Sequence, residues 1–94
     1  MDKHEARRIL DRRIAELRNE PYERLKSHWL RQPDCEQITA DSGAEYQVEI
    51  EAFWDDESAG HLRLVASIDG GGWRALVPTT GGFIVAPDGS FIGE

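Results

Sequence analysis

A single cysteine, Cys35, is all the thiol the 94-residue chain carries, and one thiol excludes an internal disulfide. No apolar run approaches the roughly 18 residues of a membrane-spanning helix, so no membrane partner is expected. The opening stretch MDKHEARRILDRR has no apolar core of the kind an export signal needs. The reducing cytoplasm is therefore the expected compartment. Basic charge is scarce over most of the length: residues 34–94 hold only Arg63 and Arg74 against twelve carboxylates. Such a segment repels a phosphate backbone, so nucleic acid is not an expected partner. Residues 1–33 hold the other nine of the eleven Lys and Arg, but Asp11, Glu16, Glu20 and Glu23 are interleaved among them. That is the pattern of a solvated helix face.

What is present fits one small domain over residues 1–94. Ala6, Ile9, Leu10, Ile14 and Leu17 recur at spacings of three and four, which predicts an amphipathic helix over residues 3–18. Asp2 can cap it, with Glu5 as the reciprocal capping-box partner. Pro21 interrupts the pattern, and Tyr22, Leu25 and Trp29 resume it on a second helix that Asn19 can cap and Pro33 ends. A kinked helix pair over residues 1–33 is expected.

The period changes after residue 43. EYQVEIEAF and HLRLVASI alternate as half-buried strands, separated by the polar turn WDDESAG. WRALV reads as a third strand, and FIVA and SFIG flank the turn Pro87-Asp88-Gly89 as a terminal hairpin. The expected fold is therefore α+β, with the helix pair packed on a four- to five-stranded antiparallel meander over residues 44–94.

Within SIDGGGWRALVP, three glycines raise the question of a phosphate cradle. A cradle needs a strand-to-helix junction whose amides meet the anion. Here the run leads into β-type residues, and Asp69 would repel a phosphate. Gly70, Gly71 and Gly72 are read as a hairpin corner. No nucleophile elbow is present, and His4, His28 and His61 lie apart in sequence. No cofactor is expected. The carboxylates Asp55, Asp56 and Asp69 could ligate a hard cation only if their turns shared one end of the sheet. Successive meander turns lie at opposite ends, so a small metal-dependent or hydrolytic enzyme built on them is the competing reading.

Trp54, Trp73 and Arg74 are of types enriched at binding hot spots, although a core role for the tryptophans and a cross-strand pair of Arg74 with Glu49 or Glu51 are the simpler account of them. Apolar residues also occupy both parities of several strands. Val65, Leu76 and Ile84, with Trp54, are expected on the sheet face that the helices leave uncovered. An uncovered face of that kind marks an interface, with a homodimer or another protein as partner. The expected function is a non-enzymatic binding module.

The stretch from Phe53 to Glu94 carries Trp54-Asp55-Asp56, then Ser67 to Ala75, Pro78, Thr80, Phe83-Ile84 and Pro87 to Glu94. In these motifs the chain resembles a family of small bacterial proteins with a domain of unknown function. The resemblance covers residues 44–94 and stops short of the Arg-rich helix. It implies a single small domain and no particular chemistry.

Overall fold

The computed structural model describes residues 2–70 and 79–94. Two helices, α1 (Lys3–Arg18) and α2 (Tyr22–Trp29), precede four strands, β1 (Asp34–Thr39), β2 (Glu45–Asp56), β3 (His61–Asp69) and β4 (Thr79–Val85). The strands form one antiparallel sheet in the order β1-β2-β3-β4, and the helices lie on one of its faces. The fold is α+β. Among the described residues no helix is long and apolar enough to cross a membrane.

Helix α1 has the expected bounds, because Asp2 accepts the amides of His4 and Glu5 that the first turn leaves open. The Glu5 carboxylate does not complete a capping box. Its Oε1 accepts from Ser42 Oγ at 2.9 Å and from the Tyr46 hydroxyl at 2.7 Å, which ties the helix start to the sheet. Asn19 does not cap α2. It closes α1, with its amide donating to the Glu16 carbonyl and the next amide, of Glu20, donating to that of Leu17, while Pro21 stands at the start of α2 without a side-chain cap. After α2, Arg31 takes a left-handed φ of 54° and donates its amide to Ala52 O, which turns the chain towards β1.

Alternation decides which side of each strand is buried. Tyr46, Val48, Ile50 and Ala52 of β2 point at the helices, as do Leu62, Leu64, Ala66 and Ile68 of β3 and Phe83 and Val85 of β4. Against them pack Ala6, Leu10 and Leu17 of α1 and Leu25 and Trp29 of α2. Ile14 is half-buried. Its Cδ1 sits over Gly81, 2.7 Å from where a Cβ on that residue would be. Helix α1 rests on β3 and β4, whereas α2 rests on β2.

Three features differ from the sequence expectation. Strand β1 was not anticipated, since Asp34 and Glu36 occupy its helix-facing positions and leave Ile38 as the lone apolar signal. Strand β2 runs on through Trp54-Asp55-Asp56, with a register shift there, so the turn to β3 is shorter than WDDESAG. Strand β4 begins at Thr79 and includes Gly81-Gly82, ahead of the FIVA stretch expected as strand. Gly82 belongs in the strand for a steric reason: a Cβ there would lie 1.9 Å from Leu64 O. The turn at Pro87-Asp88-Gly89 does form, with Gly89 at φ 87°. The expected strand after it is reduced to one bridge, Val85 to Phe91. The expected third strand WRALV, with Gly71 and Gly72 before it, lies outside the described residues.

Candidate functional site

The side chains that point away from the helices follow from the register. Across the sheet, Cys35, Glu49, Ser67 and Thr80 form one row, Glu51, Val65 and Gly82 the next, and Phe53, Arg63 and Ile84 a third. No element covers this face among the described residues. It has two unlike halves. Along β2 run Glu45, Gln47, Glu49 and Glu51, three carboxylates and one amide spaced by the two-residue repeat of a strand, with Asp55 further on beyond Phe53. Along β3 and β4 lie Val65 and Ile84, both half-buried. Phe53 stands between the halves and is the exposed large hydrophobic residue of the described chain, at 41% exposure.

Gly82 has no side chain to fill its place beside Val65. A hollow of about 400 Å³ results, lined by Val65, Gly82, Ile84 and Ile92 with Arg63 and Glu94 at its margin. Its outer wall is held by the C-terminal segment. Ile92 donates its amide to Ile84 O at 2.9 Å, and Phe91 meets Phe83 edge-on with ring centroids 5.5 Å apart. The Arg18 guanidinium lies 3.8 Å from the Phe91 ring centroid and donates to both Glu94 oxygens at 2.6 and 2.7 Å. This bidentate pair holds the Glu94 carboxyl below its ordinary range.

Val65 and Ile84 are thus on the uncovered face, where the sequence placed them. Trp54 is not. It pairs in register with Leu62, is half-buried against the core, and has the Lys26 ammonium 5.9 Å from its ring centroid. Its parity is that of Ala52, so it belongs to the helix-facing side. Phe53 takes the outward position and was missed, although its shared parity with Glu49 and Glu51 is visible in EYQVEIEAF. Trp73, Arg74 and Leu76 lie outside the described residues.

The three carboxylates of the competing metal reading are separated. Asp55 accepts from Arg63 Nη2 at 2.6 Å. Asp56 accepts from Ser58 Oγ and the Ala59 amide, which shape the turn and hold its carboxyl below the ordinary range. Asp69 pairs in register with Gln47 at the opposite end of β3, roughly 25 Å away at about 3.3 Å per residue. Among the described residues no three His, Cys, Asp or Glu side chains are grouped as metal ligands. The exposed Cys35 and the half-exposed His28, whose Nε2 lies 3.8 Å from Asp34, are likewise not brought together with His61.

Comparison with protein-family models, with curated proteins and with solved structures found no match. The reading of the site therefore stands on its geometry.

Proposed function

We propose that the chain is a non-enzymatic interaction module that buries the uncovered face of its sheet against a protein partner, with a second copy as the first candidate. One observation carries this: Val65, Ile84 and Ile92 line the Gly82 hollow, and the exposed Phe53 stands in the register row of Arg63 and Ile84, on a face that no helix covers among the described residues. A two-fold arrangement centred on β3 and β4 would bury that surface and leave the β2 carboxylates at the rim. The charge distribution favours this placement, because carboxylates stacked on carboxylates at the centre would repel. The sequence resemblance to small bacterial proteins is consistent with a bacterial, cytoplasmic setting, which belongs to the same proposal.

Light scattering at micromolar concentration tests it. The expected mass is about twice the 10.6 kDa of one chain, and Ile84→Asp is expected to return it to a single chain. Association should strengthen with salt as the carboxylate rims are screened. A mass of one chain, together with unchanged solubility in Ile84→Asp and Phe53→Asp, would remove the second copy as the partner.

A further inference from the structure

We propose that residues 91–94 and the seat they fill beside β4 form an exchangeable contact, so that two copies of the chain trade these segments and each fills the other's seat.

The segment after β4 is bonded in two separate groups. Its turn is closed within residues 86–90: the Ala86 amide donates to Ser90 O at 2.8 Å, the Gly89 amide to Ala86 O at 2.9 Å and the Ser90 amide to Asp88 Oδ1 at 2.9 Å. The seating contacts lie beyond it. Phe91 meets Phe83 edge-on and bridges to Val85, the Ile92 amide donates to Ile84 O, and both Glu94 oxygens accept from Arg18. The same guanidinium lies 3.8 Å from the Phe91 ring centroid. None of these partners belongs to the turn, which tethers the segment without helping to recognise it.

A second copy carries the same Phe91, Ile92 and Glu94, so its segment meets the same partners with the same chemistry. The seat is shallow enough to be vacated: the Arg18 and Glu94 side chains are 32% and 47% exposed, and one main-chain hydrogen bond, from Ile92 to Ile84, joins the segment to β4. Once the turn opens, residues 86–94 reach roughly 30 Å at about 3.3 Å each. Sheets packed face to face stand about 10 Å apart, so the pairing proposed above puts each segment within reach of the other copy. Only this proximity rests on that reading. The exchange closes on itself, because each copy gives one segment and receives one, as in a two-fold dimer. It also completes the contact surface: the Ile92 that walls the hollow of one copy is then supplied by the other.

Native mass spectrometry of Arg18→Glu and Glu94→Arg, alone and equilibrated as an equal mixture, is the test. Within either variant, positions 18 and 94 carry like charges, whether the contact forms in one chain or between two. Opposite charges meet only when one variant's segment fills the other's seat. The mixed pair is expected to outnumber same-variant pairs by roughly tenfold. The Ile92 amide should exchange more slowly in the mixture than in either variant alone. A chain carrying both substitutions restores the contact within itself and should protect that amide without mixing. A labelled Ser-Phe-Ile-Gly-Glu peptide probes the same seat without Arg18→Glu. It should bind Glu94→Arg, whose own segment is repelled, more tightly than the parent, whose tethered segment competes at an effective concentration on the order of millimolar. The proposal is overturned by statistical mixing of the two variants, by a mixed pair whose Ile92 amide stays unprotected, or by peptide binding no tighter to Glu94→Arg than to the parent. A parent of one-chain mass with the mixed pair in excess would remove the sheet-face pairing and keep the exchange. A parent dimer with statistical mixing would do the reverse.

Discussion

The two faces of the sheet are made from the same strands and behave as different materials. In β2 the inward parity reads Tyr46, Val48, Ile50, Ala52, all buried, and the outward parity reads Glu45, Gln47, Glu49, Glu51. Position alone separates them, since each residue is next in sequence to one of the other kind. Strands β3 and β4 break this rule on the outward side with Val65, Gly82 and Ile84. The inward face explains how the chain folds. The outward face, where polar alternation fails, is the one on which the proposed partner surface rests.

The sharpest way to break the comparison is to remove one large side chain from each face. Leu17, fully buried, should cost about 2–5 kcal/mol when changed to Ala, whereas Val65→Ala should cost less than about 1 kcal/mol. Urea denaturation measures both. Equal losses would mean that the outward face is covered in the isolated chain.

Next comes the pair of adjacent glycines that face opposite sides. Gly82→Ala would drive a Cβ against the Leu64 carbonyl, which is main chain and cannot rotate away, so a loss of about 1–3 kcal/mol is expected. Gly81→Ala meets only the end of Ile14, which can turn aside. Its melting temperature should fall less. A larger fall for Gly81 would show that the helix cannot yield.

A smaller effect concerns the Tyr46 hydroxyl, which ties the inward face of the sheet to the start of α1. Hydrogen bonding to Glu5, then burial, pushes the Tyr46 hydroxyl up to about 12. An unfolded tyrosine ionises near pH 10, so the folded protein holds this proton where the unfolded chain has lost it. The stabilisation is complete below about pH 10 and is lost as pH rises towards 12. Tyr46→Phe should flatten stability over that window in an alkaline titration, and an unchanged slope would deny the bond to Glu5. The smallest expected change is Glu94→Gln, which weakens an exposed, solvent-screened pair with Arg18 and should lower the melting temperature least of all.

Elements with a periodic apolar signal were legible in the sequence. Helix α1 and the inward positions of β2 and β3 follow directly from spacing. Strand β1 was hidden because its inward positions, Asp34 and Glu36, do not enter the core. The Glu36 carboxylate instead binds Arg13 through two hydrogen bonds of 2.9 Å. Trp54 was assigned to the wrong face for a related reason: its size suggested a hot spot, while its parity placed it with Ala52. Val65 and Ile84 were recognised because parity alone identified them. Composition can suggest a site, but on a sheet the register decides which residues share it.

The bonds from α1 to the far end of the chain set an order of events in folding. Consecutive strands are neighbours, so β1 with β2 and β2 with β3 can close as local hairpins at little entropic expense. The contacts of Arg7 with Thr80 and of Arg18 with Glu94 span 73 and 76 residues. They can form only after β4 has joined the sheet. Helix α1 can bond Glu36 and Tyr46 earlier, but its full seating waits for β4, so its substitutions should act on unfolding more than on folding. In stopped-flow kinetics Leu17→Ala should steepen loss through a faster unfolding limb, while Ile50→Val should slow the folding limb. A slower folding limb for Leu17→Ala would mean that the helix seats before the sheet is complete.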